Sequence, residues 1–332
     1  MARLEQSAVT SPMEQFKELY WDRFLDPVHS CESRLKQIAG RPAAPLGEPC
    51  TLTLAAGGKR LRPLLVFMSS RTGSKAGEKQ VLAAAAVELV HMATLVHDDV
   101  LDGASLRRGQ PTLLARYGKN VSGAAGDYLF SAAFELLAQT GFAGAVSVLS
   151  QASLDLSRGE LAQMREEFDY ELAAASYFER CRLKTSGLFV AACRLGGMLS
   201  GCSPEVIEAV GQFGEYLGLS FQLADDILDF EGSPAETGKE KGTDLRDGTV
   251  TLPLILALQF DPGVRAMLKR DPSPVELEKI RRRVQASGGI EETRRQALAF
   301  ARQAVVFLEP AAAELDTEPL ALMAEASVYR RA

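Results

Sequence analysis

Apolar residues recur with the period of an α-helix along nearly the whole chain, and this repeat constrains the fold more than any other feature. In the stretch 79–100 they follow the spacing i, i+3, i+4, i+7, which places side chains on one face of a helix. The same stretch is rich in alanine and leucine, which favour helix. Alternation typical of strands is scarce, with CTLTLA (50–55) the most strand-like piece. Similar patterns predict further helices over 13–38, 121–139, 145–167, 175–200, 204–230, 251–259, 274–286 and 290–315.

The turn-rich breaks between these helices show no sign of a flexible linker between domains. Several of the predicted helices are apolar on most sides, which indicates that they are buried. We therefore predict one all-α domain, 1–332, built as a bundle of about ten or more helices. The breaks fall at 40–49, 71–77, 102–110, 201–204, 232–248 and 261–274.

The bulk composition narrows the kinds of partner that this chain can have. Its 332 residues are 46% hydrophobic and 24% charged, which suits a globular protein with a large core. A net charge of −6 and a pI near 5.4 provide no basic field for nucleic acid or anionic lipid, so any anion must be bound by a local cluster. No uninterrupted apolar run reaches membrane-spanning length, so we do not expect an integral membrane protein. Five scattered cysteines and the lack of a secretory signal favour the cytoplasm.

Two aspartate clusters stand out in this otherwise apolar chain. In LVHDDVLD, Asp98 and Asp102 are four residues apart and share one helix face, with Asp99 beside them. LADDILDF repeats this arrangement 127 residues later with Asp225, Asp226 and Asp229. An acidic run on a helix is usually a solvated face. Here both clusters interrupt strongly apolar segments, which indicates that they face a cavity.

Carboxylates brought together in such a place repel one another unless cations compensate them. Oxygen ligands without cysteine suit Mg²⁺, which takes one or two carboxylates and completes its coordination with water and substrate phosphates. The spacing and the glycine of a calcium-binding EF-hand loop are missing. The sequence therefore predicts two aspartate helices that hold Mg²⁺ on a diphosphate.

Basic residues near the aspartate clusters predict a second site for phosphate. Arginine binds phosphate through two parallel hydrogen bonds, whereas lysine supplies a point charge. GGKRLRP (57–63) precedes a hydrophobic helix, and other cations fall in polar breaks. One diphosphate would be bridged by metal and another bound by cations alone. The basic candidates are Lys59, Arg60, Arg62, Arg107, Arg108, Lys184 and Lys239.

Taken together, these motifs resemble those of the trans-type polyprenyl diphosphate synthases, which join isoprenyl units head to tail on an all-α fold around a central cavity, the isoprenoid synthase fold. The similarity runs from about 56 to 253, leaving an N-terminal helical region (1–45) and C-terminal helices (254–332). The matching pieces, in order, are GGKRLRP, VELVHMATLVHDDVLDGASLRRGQPT, GDYL, GELAQ, KTSGLF, FQLADDILD and GKEKGTDLRDGTVTLP.

The resemblance implies a role for each candidate residue. Three Mg²⁺ ions per active site would be held by Asp98, Asp99, Asp102, Asp225 and Asp229, with Asp226 supporting them. The allylic diphosphate would be bound by Arg107, Lys184 and Lys239, with Gln163 nearby. Isopentenyl diphosphate would be bound by Lys59, Arg62, His91 and Arg108, beside Phe221. Thr185 and Gln222 would lie near the developing carbocation.

The implied reaction is ionisation of the allylic carbon–oxygen bond, attack by the isopentenyl double bond and loss of a proton. His97 stands beside the first cluster, and we expect it to pack rather than to bind metal. Two positions depart from the family pattern. Gln110 replaces a lysine after the arginine pair, and Thr249 replaces a lysine after the second cluster.

Residues just before the first aspartates line the product channel in this family, and aromatic side chains there shorten the product. Here Ala93 and Thr94 are small and Val90 lies one turn deeper, which favours a product longer than C20, used as a quinone side chain. The alternative is that Phe130 or Phe134, on another helix, closes the channel and gives a farnesyl or geranylgeranyl product.

Two other classes of protein are weighed against the synthase. A class I terpene cyclase would lack the second aspartate cluster and the GGKRLRP loop, whereas a non-catalytic regulatory subunit would have lost aspartates. The resemblance also implies a homodimer.

Overall fold

The computed structural model describes residues 12–73, 75–107, 109–232 and 242–329, and within these ranges the chain is almost entirely helical. The predicted all-α class is confirmed. Two of the predicted cations, Arg108 and Lys239, lie outside the described residues.

The N-terminal half consists of helices that surround one long central helix. Its elements are α1 (Pro12–Phe16), a π-helical turn (Lys17–Trp21), α2 (Asp22–Ala39), α3 (Gly47–Ala55), α4 (Leu61–Met68), α5 (Glu78–Leu101), the two-residue strands β1 (Leu106–Arg107) and β2 (Gln110–Pro111), α6 (Leu113–Ala138) and α7 (Ala143–Glu166).

The C-terminal half continues the bundle with a second long helix. Its elements are α8 (Ala174–Cys181), a π-helical turn (Arg182–Ser186), α9 (Gly187–Leu199), α10 (Pro204–Glu231), α11 (Thr243–Asp247), α12 (Leu252–Phe260), α13 (Pro262–Arg265), α14 (Pro274–Ala286), α15 (Gly289–Val306), a 3₁₀ turn (Glu309–Ala313) and α16 (Glu318–Val328).

Helix α5 forms the centre of the bundle because apolar residues cover most of its surface. It lies along α6, contacts α2, α4 and α9, and buries an almost unbroken run of side chains from Leu82 to Val90. Among the described residues it is the one helix long and apolar enough to cross a membrane, yet 72% of its most apolar stretch is buried inside the molecule. This burial identifies α5 as a core helix.

Helix α10 connects the two hydrophobic cores that the described residues form. Its first half packs into the N-terminal core through Val210, Phe213 and Leu217. Its second half packs into the C-terminal core through Leu223 and Phe230. Pro204 starts the helix, and the side chain of Ser203 caps it by accepting a hydrogen bond from the backbone of Val206. Packing into both cores therefore fixes the position of the aspartates near the end of α10.

The structure differs from the prediction at several boundaries. CTLTLA is part of α3, because Cys50 and Leu54, four residues apart, are buried on one helix face. Helix α6 begins at Leu113, eight residues before the predicted start, and contains a kink at Gly118. The C-terminal helix α16 had no predicted counterpart. The predicted helix 290–315 ends at Val306 and is followed by the 3₁₀ turn.

Candidate active site

The first aspartate cluster occupies the last turn of α5. Asp99 is buried and accepts a hydrogen bond of 2.8 Å from Nε of Arg107 in strand β1. Asp98 is half-buried, whereas Asp102, which follows the last residue of the helix, is exposed. The hairpin pairs Arg107 with Gln110, so the residue that departs from the family pattern lies directly opposite this arginine. The cluster thus has one aspartate tied to an arginine and two available to a ligand.

A lysine from a different part of the chain stands beside these aspartates. Nζ of Lys184 lies 2.5 Å from Oε2 of Glu160 and donates to Oε1 of Gln163 at 3.1 Å. Desolvation raises the pKa of Asp98 to about 6, although the positive charges of Lys184 and Arg107 lower it. The positive charge of Lys184 also lowers the pKa of Asp102, so one ammonium group acts on both carboxylates.

Close helix packing places Lys184 and Thr185 at this position. Both lie in the π-helical turn Arg182–Ser186, which runs between α7 and α10. A Cβ atom on Gly159 of α7 would lie 2.7 Å from the backbone nitrogen of Lys184, and one on Gly218 of α10 would lie 2.6 Å from Cα of Ser186. Only glycine, which has no Cβ atom, allows α7 and α10 to pack this closely against the turn. The glycine of the GELAQ motif is therefore required for the position of Lys184.

A chain of hydrogen bonds joins the π-helical turn to the second aspartate cluster. The hydroxyl of Thr185 donates to Oε1 of Gln222 at 2.6 Å, and Nε2 of Gln222 donates to Oδ1 of Asp226 at 2.8 Å. The phenol of Tyr177 donates to the other oxygen of Asp226 at 2.5 Å. Burial raises the pKa of Asp226 to about 7. Asp226 thus fixes the orientation of the Gln222 amide, and through it the Thr185 hydroxyl.

The other two aspartates of α10 differ in their surroundings. Asp225 is exposed. Asp229 is half-buried, and its two oxygens accept backbone hydrogen bonds from Thr243 at 3.1 Å and Asp244 at 3.3 Å, at the start of α11. A carboxylate at a helix N-terminus is stabilised by the unsatisfied amides and the helix dipole. Asp229 therefore anchors the start of α11 to α10.

The three cations of GGKRLRP, which spans the loop before α4 and the first turn of that helix, differ in their exposure. Lys59 is exposed, Arg62 is half-buried, and Arg60 is buried. The guanidinium carbon of Arg62 lies 4.9 Å from the centre of the Phe189 ring. The centres of the Phe189 and Phe221 rings are 5.2 Å apart, with the ring planes tilted by 52°. The predicted cation Arg62 and the predicted wall residue Phe221 therefore come together around Phe189.

The remaining predicted residues of α5 precede the first aspartate cluster along the helix. His91 and Thr94 are half-buried, and the Thr94 hydroxyl donates to the backbone oxygen of His91 at 2.8 Å. Val90 and Ala93 are completely buried in the N-terminal core. On α6, Phe130 and Phe134 contact each other with ring centres 5.3 Å apart and pack against the same core.

His97 packs against α6, in keeping with the prediction of a packing role. Its Nε2 atom lies 3.1 Å from Oδ1 of Asp127. A Cβ atom on the neighbouring Gly126 would lie only 2.4 Å from Nε2. The GDYL motif thus supplies both the space and the polar partner for this histidine.

The carboxylates of the two clusters suit Mg²⁺, which can complete its coordination with phosphate oxygens. They do not suit a metal whose ligands all come from the protein. Within the described ranges, no three His, Cys, Asp or Glu residues are close enough to hold a metal ion. Partly desolvated carboxylates such as Asp98 gain from a cation, and Mg²⁺ accepts few protein ligands when phosphate oxygens supply the others. The residues present therefore fit Mg²⁺ that arrives with a phosphorylated ligand.

Sequence reasoning missed three residues of this site. Glu160 pairs with Lys184, Tyr177 bonds to Asp226, and Glu88 pairs with Arg60. Glu160 and Glu88 lie inside motifs that were already recognised, GELAQ and VELVH, so a charged residue within an apolar motif was the available signal. Tyr177 lies seven residues before Lys184, outside every motif, and carried no comparable signal.

An all-α bundle that presents two aspartate clusters and a lysine-bearing π-helical turn defines an isoprenoid synthase. Comparisons with known proteins agree. The chain matches the family model described as polyprenyl synthetase over residues 44–283. It is 40% identical over 243 residues to component 2 of the heptaprenyl diphosphate synthase of Geobacillus stearothermophilus, covering 73% of this chain and 76% of that protein.

Two further proteins illustrate the similarity. Octaprenyl diphosphate synthase of Escherichia coli is 34% identical over 263 residues, covering 77% of this chain and 81% of that protein. The crystal structure of a polyprenyl synthase from Caulobacter crescentus, complexed with calcium and isoprenyl diphosphate, is 33% identical and superposes with a TM-score of 0.86, covering 96% of this chain and 98% of that one. The chain belongs to the polyprenyl synthetase family, and it is a prenyltransferase.

Proposed function

We propose that this enzyme extends an allylic diphosphate by condensation with isopentenyl diphosphate and releases an all-trans polyprenyl diphosphate. The observation that carries the proposal is the meeting of Asp98, Asp102, Lys184 and Arg107 at the end of α5. A metal-bridged diphosphate requires carboxylates that can take a divalent cation, with cationic side chains beside them.

The allylic diphosphate is bound by Lys184 and Arg107, with Lys239 and Gln163 as further contacts. Three Mg²⁺ ions are assigned to Asp98, Asp99, Asp102, Asp225 and Asp229. When bound, Mg²⁺ supplies the positive charge that stabilises the departing diphosphate. The oxygens of Thr185 and Gln222 face the developing carbocation, and Asp226 holds them in orientation. The hydrogen-bond chain through Gln222 supports this arrangement.

Isopentenyl diphosphate is bound by Lys59 and Arg62, with His91 and Arg108 completing the site. The contacts of Phe189 with Arg62 and with Phe221 support this assignment, because they join a phosphate-binding cation to an apolar wall suited to an isoprenyl unit. Holding the double bond next to the ionising carbon turns a bimolecular reaction into one between positioned groups.

The product is longer than C20. Val90, Ala93 and Thr94 offer no bulky side chain on α5, and relatives with long-chain names, heptaprenyl, octaprenyl and nonaprenyl diphosphate synthase, support the same conclusion.

Replacing Tyr177 with phenylalanine tests the orienting role of Asp226. We expect kcat to fall about tenfold, with the KM of both substrates within threefold, because one hydrogen bond to a buried carboxylate contributes about 1–3 kcal/mol. Steady-state kinetics checks this. Tyr128→Phe removes a comparable phenol bond, 3.0 Å to the backbone oxygen of Ile38, and serves as the control. An equal loss of kcat in both variants would contradict the assigned role.

The proposed function is tested by incubating the protein with labelled isopentenyl diphosphate, geranylgeranyl diphosphate as primer, and Mg²⁺. We expect products longer than C20 that form only when both substrates and the metal are present. Cyclic hydrocarbon from the primer alone would indicate a terpene cyclase. Products of C20 or shorter from a geranyl primer would indicate a short-chain synthase. No turnover in any combination would indicate a regulatory subunit.

We propose that the enzyme acts as a homodimer of single-domain subunits in the cytoplasm. Helix α7 exposes Leu154, Leu161 and Met164, whose spacing of seven and three residues places them on one face, and this apolar face supports self-association. The five cysteines are all unpaired and buried, which supports a reducing compartment.

Component 2 in the names of two relatives suggests a second, different subunit as the alternative. The mass in solution distinguishes a dimer from a monomer that awaits a partner.

A further inference from the structure

Of the three cations in GGKRLRP, the middle one is withdrawn from solvent. Arg60 is 8% exposed and precedes α4 in the left-handed region, with φ of 48°. A residue with a side chain adopts this conformation only where its surroundings hold it. Those surroundings are two carboxylates from different helices, Glu32 of α2 and Glu88 of α5.

The contacts of Arg60 tie the loop to the core. Its Nε donates to Glu32, and Nη1 donates to Oε1 of Glu88 at 3.0 Å. The loop also folds over the guanidinium, since a Cβ atom on Gly58 would lie 2.8 Å from Nη1 of Arg60. Because Nε and Nη1 are bonded to carboxylates and the side chain is buried, Arg60 fixes the backbone between Lys59 and Arg62.

Glu88 acts on the second arginine as well. It is 3% exposed, and burial raises its pKa while the charges of Arg60 and Arg62 lower it. It therefore lies close to both guanidinium groups, one turn before His91 on α5. Arg62 also contacts the Phe189 ring, with its guanidinium carbon 4.9 Å from the ring centre.

We infer that the buried pair of Arg60 and Glu88, braced by Glu32, is a positioning device that holds Lys59 and Arg62 for the diphosphate that is bound without metal. The inference rests on the proposed function, which assigns that diphosphate to isopentenyl diphosphate. Arg60 and Glu88 do not touch the substrate. They set the place and direction of the residues that do.

The test must separate position from charge, because removing Glu88 alone would also make the site more positive. The double variant Arg60→Gln with Glu88→Gln removes one charge of each sign, so the net charge acting on an anion is unchanged. We expect the KM for isopentenyl diphosphate to rise at least tenfold, with the KM for the allylic primer and the product length unchanged.

A matched control removes a comparable pair elsewhere. Arg281 is 9% exposed, pairs with Glu278 and donates to the backbone oxygen of Phe230 at 2.7 Å. In the double variant Arg281→Gln with Glu278→Gln, the KM for isopentenyl diphosphate should stay within twofold of the unmodified enzyme.

The inference would be overturned by an unchanged KM for isopentenyl diphosphate, or by equal changes in both KM values, in a double variant that unfolds cooperatively. If the double variant does not fold, Arg60→Lys is used, because lysine keeps the charge but cannot bridge two carboxylates as a planar guanidinium does. It should raise the same KM at least threefold while sparing the primer. Failure of the unmodified enzyme to elongate any primer would instead refute the proposed function.

Discussion

Replacement of Asp98 by alanine is expected to lower kcat by a factor of about 10² to 10³ or more, because electrostatic stabilisation of a developing charge contributes on that scale. The same loss is expected for Asp225→Ala, its counterpart on α10. Steady-state turnover of labelled isopentenyl diphosphate measures both. Turnover equal to that of the unmodified enzyme would refute the metal-site assignment.

Loss of activity in Asp98→Ala should not come from unfolding. Desolvation raises the folded-state pKa of Asp98 from 3.8 to about 6, so the folded metal-free protein holds its proton more tightly than the unfolded chain does. The contribution of this group to stability is therefore lost as the pH rises from about 4 to 6. Above that range, removing the carboxylate is expected to stabilise the metal-free protein by about 1–2 kcal/mol, after discounting the shift for partial exposure.

Thermal unfolding at pH 7.5 without metal checks this expectation, and the melting temperature of Asp98→Ala should equal or exceed that of the unmodified protein. Asp316→Ala is the control for activity. Asp316 pairs with Arg23 at 2.5 Å on the surface and belongs to neither aspartate cluster. Its replacement should leave turnover intact.

Replacement of Ala93 by phenylalanine is expected to shorten the product to C20 or less. Ala93 lies just before the first aspartates on α5. The resemblance to the family implies that an aromatic side chain at this position limits the growing chain. Chromatography of the dephosphorylated products measures their length directly.

A large side chain in a packed core also destabilises a protein by about 1–3 kcal/mol, so the effect on product length needs a matched control. Ala301→Phe introduces the same ring into the C-terminal core, where Ala301 is buried. It should lower the melting temperature without changing the product. An unaltered product from Ala93→Phe would place the end of the channel elsewhere, with Phe130 and Phe134 as the next candidates.

The helical fold and the aspartate clusters could be predicted because both depend on local sequence. The period of the apolar residues places α5 within one residue of the predicted 79–100, and Pro274–Ala286 matches its prediction at both ends. The four-residue spacing that aligns Asp98 and Asp102 is likewise a property of any helix. Family membership followed from these motifs and is confirmed.

The partners of the site residues could not be predicted, because each is chosen by contacts between distant parts of the chain. Tyr177 and Asp226 are 49 residues apart, and Lys184 reaches Gln163 across 21 residues. Asp229 likewise bonds to the backbone of Thr243 and Asp244, 14 and 15 residues further along the chain.

The sequence alone determined the all-α class and the two aspartate clusters, because helix period and motif spacing do not depend on tertiary contacts. The resemblance of its motifs to the family indicated a prenyltransferase. Only the tertiary structure decided which cations of GGKRLRP face solvent. Lys59, Arg60 and Arg62 cannot be told apart from the sequence, since all three are cations in one short motif. Arg60 is buried because it pairs with Glu32 and Glu88, each 28 residues away along the chain. Burial of a charge requires partners of opposite sign, and only the fold brings those partners together.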